Sequence, residues 1–412
     1  MASSSRAFPL SYAIVVLFAY IGFSLPLPLL PEMFLDVQKS ILPKDYTLAH
    51  KVIVLGFVMA AFPFGQFFGA PLLGHLSDRH GRKKVILASL FGTMIGYVLT
   101  ALSVTAHSIT GMFLGLAVCG FCEGNVTIAQ SVIADLTHEK GLQEKKARYF
   151  GWINIFIAVG FIIGPLMGGQ LADPNLVSWF TFATPFWIAA AMTVIGMCII
   201  HFFSQETLKN KSDRKWSFVG SVWSGFTMPS LKIYYIANFF LALGYFSYFR
   251  FLPVFLERYF DFTAAELGYV MVYDAVAMGL GVIFLLPSLA RRFSAAQQLW
   301  VFSILLAISF IVCIIPNNPY MLIITIPPAG LFLAVTITNG SLVISDKATL
   351  AFQGQALGTL TSVQVLAEFL TGALGGFMAA KMTALPLYIG ALMSVMCGVV
   401  LLMHRIRNPT LR

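Results

Sequence analysis

Twelve apolar runs, each long enough to cross a bilayer as a helix, succeed one another through this chain of 412 residues. Their approximate limits are 9–31, 50–73, 84–106, 109–136, 149–171, 178–203, 231–256, 265–289, 297–316, 319–345, 353–380 and 384–403. A helix needs about 20 apolar residues to cross the hydrocarbon. Lipid offers no partners to backbone N–H and C=O groups, so only helices or closed barrels cross it. Barrel strands would read as short alternating segments, and these runs do not alternate. Charged residues make up 10% of the chain and apolar ones 58%, whereas a soluble domain carries about 25% charge. The expectation is an all-α polytopic membrane protein with twelve transmembrane helices.

The first run follows a single cation, Arg6, and stays apolar to Pro31. That is too long for the core of a cleaved signal, and it reads as a retained helix. All five cysteines fall inside runs, where they serve as small packing residues rather than disulfides or ligands. No metal site and no cofactor is expected. A Gly-rich phosphate loop is absent, and so is any Ser/His/Asp setting for hydrolysis, so the chain does not read as an enzyme.

Lys and Arg divide the connections by side. Twenty lie on the side of the two termini and five (Lys39, Lys44, Lys51, Arg258 and Lys381) on the other, with Arg250 inside a run. Cations gather on the cytoplasmic side of a membrane, which puts both termini in the cytoplasm of a multi-pass protein of the cell (inner) membrane. The net charge of +9 then faces anionic lipid rather than nucleic acid. The longest inner connection is basic and separates six runs from six. Residues 1–204 and 230–412 are therefore expected as two pseudo-symmetric six-helix bundles, with 205–229 as a cytoplasmic linker. Such repeats hold a substrate site between them near mid-membrane in many carriers.

Between the second and third runs stands GHLSDRHGRKK, Gly74 to Lys84. It reads as a tight inner turn, with Gly74 allowing a close helix end and Gly81 a positive-φ turn. Arg82, Lys83 and Lys84 suit the inner face, but Asp78 among them needs another reason.

The spacing G-x-L-x-D-R-x-G-R-K resembles the loop 2–3 motif of the major facilitator superfamily. LPLPLLPEM (Leu25–Met33), IADLT (Ile133–Thr137) with ARYFG (Ala147–Gly151), and GFIIGPLMGG (Gly160–Gly169) are similar to stretches of its twelve-span drug:proton antiporters, the tetracycline exporters included. The resemblance implies the major facilitator fold and makes the charged knot a gate. Asp78 is then expected at the start of span 11, around Leu350 to Gly354, with Arg82 paired to Asp135 and Arg148 nearby. It also makes Gly160, Gly164, Pro165, Gly168 and Gly169 an antiporter motif. Where many members carry an arginine in span 4, this chain has Leu116.

Independently of resemblance, the glycines at 160, 164 and 168 recur every four residues and give one smooth helix face for close packing in lipid. Pro165 removes a backbone donor and invites a bend.

Four charges remain inside runs: Glu123, Asp274, Glu368 and Arg250. A charge there costs about 2.5–3.5 kcal/mol on insertion scales, so each is expected to face a cavity or a partner. The three acids are candidate proton carriers. Glu123 precedes Thr127 and Gln130 at helical spacing, and Glu368 lies between Gln364 and Thr371. Arg250 is a candidate for an anionic substrate group, or for a structural pair with Asp274 or Glu257. Asn154, Asn238, Gln130, Gln364 and Tyr245 are candidate cavity residues. The reading is a proton-driven exporter of a small drug-like compound, working as a monomer, with protons and membrane lipid as its other partners. Its alternatives are export of an endogenous metabolite such as a carboxylate siderophore, proton-coupled uptake, and a scaffold or sensor that moves nothing.

Overall fold

A computed structural model describes residues 4–36, 38–136, 143–208, 229–348 and 353–407. Among the described residues there are helices and turns, no strand, and twelve helices long and apolar enough to cross a membrane. Numbered as spans, they are Leu10–Leu35, Leu48–His80, Arg82–Thr105, Ile109–Ile133, Gly151–Leu171, Thr184–Phe203, Leu231–Phe260, Ala264–Ala290, Ala295–Val312, Pro319–Lys347, Gln355–Lys381 and Leu385–Ile406. Every apolar run of the sequence thus holds a helical span of membrane length.

Helix limits follow from local chemistry. Span 3 starts directly after Gly81, whose φ of 109° ends span 2. The Ser108 side chain accepts the N–H of Gly111 at the start of span 4, and Ser294 with Gln297 forms a reciprocal capping box at the start of span 9. Such caps satisfy donors that the helix itself leaves unpaired.

Several spans depart from the expected continuous helix, span 1 being two helices, Ser4–Ser24 and Pro26–Leu35. Span 2 does not stop near Leu73 but runs on through His80, so the charged knot is helix on both sides of Gly81 rather than an extended turn. Span 4 is broken: one helix ends at Phe121 and the next begins at Asn125. Span 8 carries a π-helical turn, Gly281–Leu285, a wider turn often found at functional positions.

The chain separates into two compact units. The first comprises Met1–Leu42, Ala61–Phe218 and Thr263–Tyr269, and the second Pro43–Ala60, Val219–Phe262 and Val270–Arg412. In the first, span 1 packs on spans 5 and 6, and span 3 on spans 4 and 6. In the second, span 7 packs on spans 11 and 12, and span 9 on spans 10 and 12. The same pairings recur six spans later, which is the internal repeat expressed as packing.

The core of the first unit brings Tyr12, Val16, Ile86, Leu90, Ile128, Val132 and Ile153 together. Large apolar side chains such as Trp179, Phe202, Ile324 and Tyr320 stay exposed, as lipid-facing surfaces require. Lipid supplies no hydrophobic drive between helices, so close packing and small residues hold them. On span 5 an added Cβ at Gly164 would fall on the Ser24 hydroxyl, and one at Gly168 on the Leu25 carbonyl. The glycine face expected from the sequence is therefore seated on span 1.

Candidate functional site

The break in span 4 places a carboxyl among irregular backbone. Glu123 stands between the two helical pieces, its N–H bonded to the Gly120 carbonyl at 3.0 Å, and the next helix restarts with Ile128 N–H on Gly124 O. Inside the break the Cys122 carbonyl accepts the Gly124 N–H at 2.9 Å, and the Ser89 hydroxyl of span 3 also donates to it. Asn125, 1% exposed, has its side-chain oxygen 2.9 Å from the same hydroxyl. Oε2 of Glu123 is buried without a hydrogen-bond partner. Irregular backbone at membrane depth persists only where protein or a polar cavity receives it. The expected stripe of Glu123, Thr127 and Gln130 is not formed on one helix, because Glu123 lies in the break between Phe121 and Asn125. Thr127 is exposed and Gln130 half-buried.

In the second unit Arg250 of span 7 and Glu368 of span 11 form a buried ion pair. Arg250 also donates to the Met59 carbonyl, while its Nε has no partner. The expected pairing of Arg250 with Asp274 or Glu257 is not what the fold selects. Rotation of span 7 turns the guanidinium toward span 11, and Asp274 instead lies beside the Tyr248 hydroxyl and against Gly330. Tyr248 is stacked on Phe310, and Cys313, next to this cluster, donates its S–H to the Thr325 carbonyl at 3.2 Å. Asp274, Glu368 and Arg250 are 4%, 4% and 5% exposed.

The other candidates are scattered. Tyr245 is buried and rests on Phe246 and Phe249. Asn238 joins helices, donating to the Tyr234 and Gly340 carbonyls. Gln364 is half-buried and Asn154 exposed.

The charged knot folds onto itself and onto the start of the linker. Arg82, 8% exposed, donates to Asp78 and Ser77, and its Nε lies 3.2 Å from Asp135. Glu206, at the start of the linker, accepts the backbone N–H groups of Arg82 at 2.8 Å and Lys83 at 3.2 Å, a role its place in a basic connection did not signal. A carboxylate there answers the positive end of span 3. Gly74 meets nothing within 4 Å of an added Cβ, so it is not the site of close approach that was expected. The Arg148 side chain and the stretch around Leu350 expected to receive Asp78 lie outside the described residues.

At the opposite ends of the spans a second carboxyl had also gone unremarked. Glu32, 6% exposed, accepts the Ala264 N–H at the first turn of span 8 and pairs with Lys39. Glu32 holds the Lys39 ammonium above its usual range. Added Cβ atoms at Gly169 and Gly268 would meet the Ala264 and Pro165 backbones. The signal for Glu32 was a carboxyl closing a proline-rich helix end, which does not by itself name its partner.

A multi-pass helical protein that buries three carboxyls and a guanidinium inside its spans has the construction of a membrane carrier. The Major Facilitator Superfamily profile matches residues 12–318 and 234–412, and the chain belongs to that superfamily, whose members are transporters and not enzymes. Tetracycline resistance protein class B of Escherichia coli is 31% identical over 232 residues, which is 54% of this chain and 52% of that protein. The class D protein of Salmonella ordonez is 27% identical over 358 residues, covering 85% and 84%. The matches to the class B and class C proteins span about half of their length or less, 52% and 43%. Among solved structures, the human organic anion transporter MFSD10 superposes with a TM-score of 0.69 at 19% identity, over 96% of this chain and 99% of that one.

Proposed function

We propose that the protein is a proton-coupled exporter of a small organic compound, working by alternating access of the halves 1–204 and 230–412. The observation that carries this reading is Glu123. Its carboxyl stands in a broken span, with one oxygen buried and unpartnered, where a proton or a substrate donor is the natural complement. Asp274 and Glu368 are the other carriers. Sequence similarity to tetracycline resistance proteins supports export over uptake. Asp78, Arg82 and Asp135 are its inner gate, and Gly160, Gly164, Pro165, Gly168 and Gly169 its antiporter motif, with Gly160, Gly164 and Gly168 seated on span 1.

The test is proton flux in inverted vesicles energised by respiration, with cationic drugs, tetracyclines and carboxylate siderophores as additions. Substrate-triggered proton release that is lost in Glu123→Gln is expected. Release that survives there moves coupling to Asp274 or Glu368, and silence across the panel with inserted protein removes the exporter reading for these compounds.

One observation favours a second reading, proton-coupled uptake of an anion. Arg250 keeps an unpartnered buried Nε while Glu368 neutralises it. An anion binding Arg250 would displace Glu368, and a proton would then be needed to keep that carboxyl neutral. Anion and proton would bind together, which is cotransport. Acidification accompanying solute uptake in whole cells, abolished by Arg250→Gln, distinguishes this from exchange.

A further inference from the structure

Cations gather unevenly in the second unit. The helix ends Pro229–Tyr235, Ala290–Trp300, Gly340–Ala348 and Leu401–Arg407 hold six Lys/Arg and one acid, Asp346. Lys347 Nζ lies 5.2 Å from the centre of the Tyr234 ring, and that ring meets His404 edge-on at 5.8 Å. Arg405 is exposed and makes no ion pair among the described residues.

Arg405, Gln297 and Trp300 line two neighbouring cavities in common. One, of about 50 Å³, is a cup of mixed polar and apolar lining, completed by Tyr234, Ser294, Ala296, Leu401 and His404. The other, of about 180 Å³, is an apolar trough walled by Phe293, Val301 and Phe302. Trp300 lines both, and its indole N–H is buried with no acceptor. The first turn of span 9 is already satisfied by its own capping box, so the side chains are what remain to attract a ligand. A free cation and an orphan donor beside an apolar trough suit a molecule that is anionic at one end and hydrocarbon at the other.

We propose that this crevice binds the phosphate headgroup of an anionic phospholipid. The phosphate is held by Arg405 and the Trp300 N–H, and the start of an acyl chain lies along Phe293, Val301 and Phe302. Cationic crevices between helices on the cytoplasmic side are suited to such headgroups, and the positive-side assignment places these helix ends there. The site is independent of what the protein transports.

The test uses the full chain in mild detergent, titrated separately with phosphatidylglycerol, phosphatidylcholine and inorganic phosphate, with bound lipid counted by native mass spectrometry. Phosphatidylglycerol is expected to bind more tightly than phosphatidylcholine. Arg405→Gln should weaken it about five-fold, the effect of one cation beside an anionic surface, and Arg405→Lys should keep most of the preference. Trp300→Phe should weaken both lipids, and Lys381→Gln, at the other ends of the spans, neither. Equal binding of the two lipids, or no change in Arg405→Gln, overturns the proposal. Inorganic phosphate occupying the site as well as the lipid does overturns the lipid assignment in favour of a free anion.

Discussion

Arg250 and Glu368 neutralise each other across spans 7 and 11 with side chains only 5% and 6% exposed. Breaking such a pair from one side leaves a buried charge uncompensated and costs about 3–5 kcal/mol. Glu368→Gln and Arg250→Gln should each lower the melting temperature in detergent sharply. The double variant Arg250→Met/Glu368→Met should recover most of it. A double variant as unstable as either single one would mean that the pair is not held by mutual neutralisation.

Gly81 has φ 109° and ψ 143°, a backbone region closed to residues with a Cβ, and an added Cβ would run into the Glu206 carboxylate. Gly81→Ala should destabilise by about 1–3 kcal/mol. Glu206→Gln should cost less, because its amide oxygen still accepts the Arg82 N–H. Thermal unfolding of the two variants side by side checks the order.

Ser89 donates to the Cys122 carbonyl that the break in span 4 exposes. Ser89→Ala removes one of the two donors to that carbonyl, the Gly124 N–H staying at 2.9 Å, and also the donor to Asn125 Oδ1, at about 0.5–1.5 kcal/mol. Amide exchange at residues 122–125 should quicken with it. Unchanged exchange would show that the break is held by other groups.

Glu32 raises the proton affinity of Lys39 above the ordinary lysine value. A raised value means that the stabilisation is complete below the unfolded lysine range, near about 10.4, and fades as pH rises through the folded value. Because Lys39 is half-exposed, the effect should stay below about 1 kcal/mol. Wild type should melt slightly above Lys39→Met at neutral pH, and the gap should close in strong alkali. A gap that persists there would come from the lysine stem rather than its charge.

The number of membrane-length helices and the glycine face of span 5 were legible in the sequence. Each depends on composition along one segment: enough apolar residues to span lipid, and small residues every four positions. The four intramembrane charges were legible as well, since any ionisable group in an apolar run stands out. Their partners were not. Arg250 can face Asp274, Glu257 or Glu368 depending on the rotation of span 7 about its axis, and only packing fixes that rotation. The break at Glu123 was hidden because Cys122, Glu123 and Gly124 contain no proline and read as ordinary helix. Its Cys122 carbonyl is met by the Gly124 N–H and, from another span, by the Ser89 hydroxyl. Glu206 and Glu32 were invisible for the same reason: a carboxylate becomes a cap only when tertiary structure brings another helix's N–H groups to it.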